Sequence, residues 1–170
     1  SLEEAAKREL EEETGVKGVY LEQLYSFGDV KRDPRGRVIT VAYFALISAE
    51  KQMLKASTAV YEAQWFSAYS VPKIAFDHKK ILDYALQRLK WKLEYTTVAF
   101  KLLPKNFTLT QLQVLYEIVL NKKFDKRNFR KKIFALGLVE DTGEKTSGVS
   151  HRPASVYRCK RKVGEIIEIL

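Results

Sequence analysis

Four glutamates lie within five positions near the start of the chain, in the stretch KRELEEETGV that covers residues 7–16. At about 100° per residue of α-helix, Glu9, Glu12 and Glu13 share one face and Arg8 lies close to Glu12. The same face carries Leu2, Ala5 and Ala6, the stripe expected to lie against a sheet, so these acids are expected to point inward or along the edge of a cleft. Like charges at this spacing repel, and acidic groups in a last helical turn oppose the helix dipole. A divalent cation would reverse this cost, because hard Mg²⁺ prefers carboxylate oxygens. An ordinary wet surface made of good helix formers is the second interpretation that these residues leave open.

The spacing of the same residues is that of a known motif. The stretch RELEEETGV, residues 8–16, resembles the second half of the Nudix signature at every defined position. The resemblance implies that Glu9, Glu12 and Glu13 bind Mg²⁺ or Mn²⁺, and that Arg8, Glu12 and Glu13 form the catalytic set with Arg8 as the orienting residue. It also places the first half of the signature before Ser1, so we expect the sequence to be a fragment.

Two further stretches, DPRGRV at 33–38 and AFDHKKIL at 75–82, resemble Nudix proteins that handle ADP-ribose. The resemblance suggests that Arg35 and Arg37 bind the ligand, since a guanidinium holds phosphate or ribose oxygens with paired hydrogen bonds. Turn chemistry explains the Asp-Pro-Arg-Gly run equally well. Both interpretations stay open at this point.

The elements that must position these residues follow from hydrophobic patterning. The sequence predicts a helix over 2–14 that ends at Gly15, strands at about 19–27 and 38–47, and a short strand at 64–66. The run VITVAYFALI is apolar nearly throughout, which predicts a central strand covered on both faces. Asp77 is predicted to cap a further helix. We assign residues 1–93 to this first domain.

A second domain is predicted over 94–170, with a connecting segment at 94–107. Thr108 and Gln111 form a capping-box pattern ahead of a helix over 109–120, and Asp125 is an N-cap candidate for a helix that Gly137 closes. The stretches LGLVED and SVYRCK then read as two strands of a hairpin. This order is that of a winged helix-turn-helix.

Charge separates the two predicted domains. Residues 1–99 hold 15 Lys and Arg against 14 Asp and Glu, a balance of +1, whereas residues 100–170 hold 15 against 7, a balance of +8. Such asymmetry favours a near-neutral ligand domain joined to a domain that binds a polyanion. A solvated surface is the alternative. The candidate DNA-binding residues on the second helix and the wing are Lys126, Arg127, Asn128, Arg130, Lys131, Lys145, His151 and Arg152.

The stretch that begins LLPKNFTLTQLQVLYEIV is especially similar to the carboxyl-terminal domain of Nudix-related transcriptional regulators of NAD and sugar metabolism. The resemblance implies a homodimer on a palindromic operator in double-stranded DNA, released by an ADP-ribose-like ligand. The expected fold class is therefore α+β, a Nudix α/β/α sandwich without its amino-terminal strands, followed by a winged helix-turn-helix domain.

Composition excludes some other classes. The longest apolar run, residues 41–47, is far shorter than the roughly 20 residues that cross a bilayer, so no membrane partner is expected. Cys159 is the single cysteine, which excludes a disulfide and favours a cytoplasmic setting.

Three functions remain open on the sequence. The first is a DNA-binding regulator that senses a nucleoside-diphosphate-linked ligand such as ADP-ribose. Because the visible half of the signature is undamaged, this protein could also hydrolyse the ligand with Mg²⁺. The second is a Nudix pyrophosphohydrolase whose basic module binds RNA or mediates assembly, and the third is a catalytically dead interaction protein. The last seven residues, GEIIEIL, could pack on a partner or on their own domain.

Overall fold

The computed structural model describes residues 1–19, 21–47, 54, 63–148 and 152–170. Within them the chain divides into two compact units, Ser1–Arg88 and Leu89–Leu170. Helices and strands occur in both units. None of the described helices is both long enough and apolar enough to cross a membrane.

The first unit contains α1 (Leu2–Thr14), β1 (Glu22–Phe27), β2 (Thr40–Phe44) and most of α2 (His78–Tyr95). The first helix begins with a capping box between Ser1 and Glu4 and ends at Gly15, whose φ of 73° is left-handed. The helix predicted over 2–14 is therefore confirmed. Its stop at glycine follows from the low cost of positive φ at a residue without a Cβ.

Strands β1 and β2 pair antiparallel, with Glu22 opposite Phe44 and Phe27 opposite Thr40. Among the described residues β2 has this one partner, and all five of its residues are half-buried, so the predicted central strand covered on both faces is not observed. The strand predicted at 64–66 is wrong, because these residues form no ladder and are exposed. Their side chains instead line a cavity described below.

The second unit contains a short 3-10 helix (Thr97–Lys101), β3 (Asn106–Phe107), α3 (Leu109–Leu120), α4 (Lys126–Ala135), β4 (Val139–Lys145) and β5 (Ser155–Cys159). The three strands form an antiparallel sheet in the order β3-β5-β4. Thr108 and Gln111 make the predicted capping box, and the Asp125 side chain accepts from the Asn128 amide at 2.8 Å. Both helices of the predicted helix-turn-helix are confirmed.

A continuous core explains why these elements hold together. Its fully or nearly fully buried side chains come from α3, α4, the strands and the turn before β4, and include Phe107, Leu109, Leu112, Tyr116, Phe129, Ile133, Leu138 and Val139. The buried positions of α3 and α4 recur at helical spacing, as a two-helix layer on a small sheet requires.

The carboxyl-terminal segment packs on its own unit. The Thr97 hydroxyl donates to the Lys162 carbonyl at 2.8 Å and accepts from the amides of Gly164 and Glu165 at 2.9 and 3.0 Å. Beyond this turn the Ile169 amide donates to the Glu94 carbonyl at 2.6 Å, and the Ile169 side chain is completely buried. Of the two possibilities that the sequence left open for GEIIEIL, the structure shows packing on its own domain, through Ile169.

Candidate functional site

The glutamates of α1 lie on its exposed side. The half-buried stripe of the helix is Ala5, Ala6, Leu10 and Thr14, whereas Leu2 is 61% exposed. The expectation that these acids point inward or along the edge of a cleft, on one face with Leu2, is wrong for Glu9 and Glu12, which are exposed. Glu13 is exposed too, but it lies at the border of the buried stripe and lines a cavity there.

Arg8 contacts two of the three glutamates. Its Nη2 lies 2.7 Å from Glu9 Oε1 and its Nε lies 3.7 Å from Glu12 Oε1. The adjacent Glu9 carboxylate raises the pKa of the Arg8 guanidinium, with a smaller effect from Glu12. Arg8 thus contacts both Glu9 and Glu12, and the tighter of its two contacts is with Glu9.

The donor types of this face suit a hard divalent cation, because all three side chains end in carboxylate oxygens. In the part of the chain that the structure describes, no three His, Cys, Asp or Glu side chains are grouped closely enough to hold a metal ion. The exposed Glu9 and Glu12 side chains instead turn toward Arg8. The residues thus fit the chemistry of Mg²⁺, while their present rotamers do not converge on one point.

A largely apolar cavity of about 640 Å³ lies beside this helix in the first unit. Its lining includes Leu10 and Glu13 of α1, Tyr43 of β2, and the aromatic rings of Trp65 and Phe66. The volume falls in the range of small-molecule sites, which combine apolar walls with a few polar groups. Glu13 contributes an acidic group to this lining.

A nearly buried ion pair joins the loop after β1 to the start of α2. Arg32 Nε and Nη2 donate to Asp77 Oδ2 and Oδ1 at 3.0 and 2.8 Å, and the two side chains are only 4% and 11% exposed. The Arg32 guanidinium holds the pKa of the Asp77 carboxyl below its usual value. The sequence had assigned Asp77 as a helix cap. Its carbonyl does accept from Lys80 N at 2.8 Å, but its carboxylate bonds are with Arg32.

The two predicted ligand-binding arginines are exposed in the same loop. Asp33 Oδ1 accepts from the Arg35 amide at 2.9 Å, which is the turn chemistry considered above. The Asp33 carboxylate also clamps the Arg35 side chain, with Nη2 to Oδ2 at 2.7 Å and Nε to Oδ1 at 2.9 Å. These hydrogen bonds from Arg35 lower the pKa of Asp33 to about 2. Turn formation and a fixed, exposed guanidinium therefore coexist at Arg35.

In the second unit, α4 separates an apolar face from a cationic face. Phe129 and Ile133 are buried, whereas Lys126, Arg127, Asn128 and Lys131 are exposed, as predicted for a helix that enters a groove of DNA. Arg130 differs from the others. It is half-buried, its Nη2 lies 3.3 Å from Thr110 Oγ1, and its Nε is buried without a hydrogen-bond partner among the described residues. One predicted DNA contact therefore also joins α4 to α3.

The wing is the hairpin of β4 and β5, in which Lys145 pairs with Ser155. Lys145 and Arg152 are exposed. His151 lies outside the described residues. The two described cations are available to a phosphate backbone from this side of the unit.

Sequence reasoning missed the residue that fixes the turn between α3 and α4. Glu117 Oε1 accepts from Gln113 Nε2 at 3.0 Å and from the Phe124 amide at 3.1 Å, and Oε2 accepts from Lys123 Nζ at 2.9 Å. The side chain is 11% exposed. These hydrogen bonds, with Lys123 contributing most, lower the pKa of Glu117 from 4.5 to about 2.

Acid should therefore loosen this turn. Because the pKa of Glu117 is lower in the folded chain, its contribution to stability is complete above about pH 4.5 and is lost as the pH falls toward about 2. We expect Glu117→Gln to remove this part of the pH dependence of the free energy of unfolding. Urea unfolding between pH 2 and 6, monitored by circular dichroism, measures it. Glu144→Gln, at an exposed position of β4, is the control. An unchanged pH profile in Glu117→Gln would contradict the assignment.

Comparison with known families accounts for both units. A family described as NUDIX domain matches residues 1–85, and one described as NrtR DNA-binding winged helix domain matches residues 99–159. The chain belongs to the Nudix family, and its second unit is a winged helix domain of the NrtR type. The predicted fold class and the predicted family resemblance are confirmed.

Individual relatives agree with this assignment. The chain is 41% identical over 162 residues to the ADPR responsive transcriptional repressor NtrR of Acinetobacter baylyi, a match that covers 93% of this chain and 63% of that protein. It is 39% identical over 94 residues to an ADP-ribose pyrophosphatase of Methanocaldococcus jannaschii, covering 54% and 52%. Shewanella oneidensis NrtR complexed with a 27mer DNA has a TM-score of 0.70 at 34% identity and covers 94% of this chain and 73% of that one. The chain thus spans less than two thirds of the length of both curated relatives.

Proposed function

We propose that this protein is a DNA-binding transcriptional repressor that senses ADP-ribose or a related nucleoside-diphosphate-linked compound. The observation that carries the proposal is the joining of a Nudix unit to a winged helix of the NrtR type, whose α4 exposes most of its cations. Two similar proteins, an ADPR responsive transcriptional repressor and an NrtR complexed with DNA, support it. We retain 1–93 and 94–170 as its functional domains, and we propose a cytoplasmic homodimer.

In this proposal the amino-terminal part of α4 enters the major groove. Arg127 and Asn128 are exposed there and can reach guanine and adenine edges, while Lys126 and Lys131 neutralise phosphates. Lys145, His151 and Arg152 would contact the backbone or the minor groove from the wing. The partly packed Arg130 would combine a phosphate contact with its bond to Thr110.

The test is a fluorescence-anisotropy titration of the protein with DNA from upstream of its own coding sequence, with and without ADP-ribose. We expect specific binding that ADP-ribose weakens, because a ligand that prefers the unbound conformation must lower affinity for the operator. A duplex RNA of equal length serves as the matched competitor. Equal affinity for this RNA and the upstream DNA would instead favour the enzyme with an RNA-binding module.

A second activity is supported by the intact half signature and by the similar ADP-ribose pyrophosphatase. We propose that Glu9, Glu12 and Glu13 hold Mg²⁺ or Mn²⁺, with Arg8 orienting Glu9 and Glu12. When bound, such an ion neutralises a diphosphate and activates water. The exposure of Glu9 and Glu12 leaves their side chains free of packing that would prevent them from turning toward an ion.

Glu12→Gln is expected to reduce Mg²⁺-dependent release of AMP from ADP-ribose by more than about 100-fold, because even the outer partners of metal ligands are worth about 10–100-fold. The matched control is Glu11→Gln. Glu11 lies on the same helix but pairs with Lys17 at 2.5 Å, so turnover should be unchanged. Equal losses in both variants would contradict the assignment of Glu12, and not Glu11, as a metal ligand. If the wild type shows no turnover, the proposed hydrolase activity fails and the repressor proposal stands alone.

A further inference from the structure

The residue before Asp77 has an unusual backbone. Phe76 has a φ of 50°, one of two non-glycine residues with positive φ among the described residues. The other is Asn121, a residue type that tolerates this region and that caps α3. For a bulky aromatic residue the left-handed region costs free energy, and such strain persists only where surrounding contacts impose it. Burial does not offset the cost fully, since Phe76 is 48% exposed.

Phe76 supports the guanidinium of Arg35. The Arg35 Cζ lies over the Phe76 ring, 4.8 Å from its centroid. The centroids of the Phe76 and His78 rings are 5.8 Å apart, with an interplanar angle of 66°. Asp33, whose side chain is 6% exposed, holds the Nε and Nη2 edge of the same guanidinium. Arg35 is thus fixed on one face and one edge, yet its side chain remains 73% exposed.

This geometry limits what Arg35 can bind. The Nε and Nη2 edge, which pairs side-on with a phosphate, already carries the Asp33 carboxylate. The outer face of the guanidinium and its Nη1 end remain available for contact with a ligand. A guanidinium is planar and weakly hydrated, and it stacks on π systems. An exposed guanidinium that is held flat by two neighbours suits a planar aromatic group better than an isolated anion.

We propose that Arg35, stacked on Phe76 and clamped by Asp33, is a preformed platform for the planar base of the nucleoside-diphosphate ligand. The proposal rests on the proposed function and adds the part of the ligand that this loop recognises. Arg35 contacts the base, and Asp33 and Phe76 are positioning residues. Since the guanidinium is ordered before binding, the ligand does not have to bear the entropy of immobilising a long side chain.

The test compares ligands with and without a base on the full chain. We expect Arg35→Lys to weaken ADP-ribose binding by about 5- to 150-fold, the value of one stacked base. Binding of ribose 5-phosphate, measured by competition, should change by less than about twofold. Arg37→Lys is the matched control in the same loop and should affect both ligands equally. An Arg35→Lys variant that loses affinity for both ligands in the same proportion would overturn the platform.

Phe76→Asn gives an independent readout. Asparagine accepts positive φ, so the thermal midpoint should stay constant or rise, while ADP-ribose binding falls. In the wild type, the fluorescence of 1,N6-etheno-ADP-ribose should change on binding, and this change should be smaller in Phe76→Asn. If the wild type binds no ADP-ribose, the proposed function itself fails. If wild type and Phe76→Asn bind it equally with the same fluorescence, only the platform fails.

Discussion

Raising the salt concentration from 50 to 200 mM is expected to weaken binding of this protein to its operator by about 10³- to 10⁵-fold, the loss associated with about six to ten phosphate contacts. The residues from 100 onward carry a balance of +8, and the exposed cations of α4 and the wing are placed to supply such contacts. Each neutralised phosphate releases condensed counterions, so affinity falls as a power of the salt concentration. Anisotropy titrations over a salt series measure this slope directly.

Single substitutions show which residues contribute to the dependence of DNA affinity on salt concentration. Lys131→Ala, on the exposed face of α4, should lower the slope of log K against log salt by about one. Lys7→Ala changes an exposed lysine of α1 and should leave it unaltered. A slope near zero in the wild type would mean that the charge asymmetry is only a solvated surface. The regulator proposal would then lose its main physical support.

Phe129→Ala should destabilise the winged helix by about 3–5 kcal/mol, the range for removing a buried phenylalanine. Phe129 is 4% exposed, and its ring centroid lies 5.6 Å from Tyr116 and 5.7 Å from Phe124. It therefore holds α4 against α3 and against the turn between them. Because whole domains are stable by only about 5–15 kcal/mol, DNA binding should be lost as well at physiological temperature. Urea unfolding followed by circular dichroism measures the change.

The same helix offers a matched control five positions later. Phe134 is 49% exposed and contacts Tyr157 with ring centroids 5.7 Å apart. Phe134→Ala should cost less than about 1.5 kcal/mol, because an aromatic pair contributes about 0.5–1.5 kcal/mol beyond burial and little area is buried here. Equal destabilisation by the two substitutions would contradict the separation of α4 into a core face and an exposed face.

The helix-turn-helix was predictable because its signals are local. A capping box joins Thr108 to a residue three positions away, and Asp125 likewise bonds the Asn128 amide. Such pairs act whenever the chain is helical, so the sequence alone specifies both helix starts. The Nudix half signature is equally local, which explains why the family resemblance could be recognised before any fold was known.

Long-range contacts were not predictable in the same way. Arg32 and Asp77 are 45 positions apart, and Thr97 bonds Gly164 across 67 positions. Nothing in the local pattern distinguishes these partners from other charged or hydroxyl side chains. The predicted orientation of α1 was wrong for a related reason. The apolar face of this helix is weak, because it consists largely of small alanines and Leu2 is exposed, so the sequence does not specify which side packs inward. Composition identified the acidic residues but not the side on which they lie.

The Arg32–Asp77 pair has a further consequence for how this chain tolerates change. With both groups almost excluded from water, replacing one of them strands an uncompensated charge, which costs more than losing both together. We therefore expect the two positions to tolerate simultaneous substitution better than substitution of either residue alone. A designer who grafts a new ligand loop between β1 and β2 would need to import the matching residue at the start of α2, although 45 positions separate them in the chain.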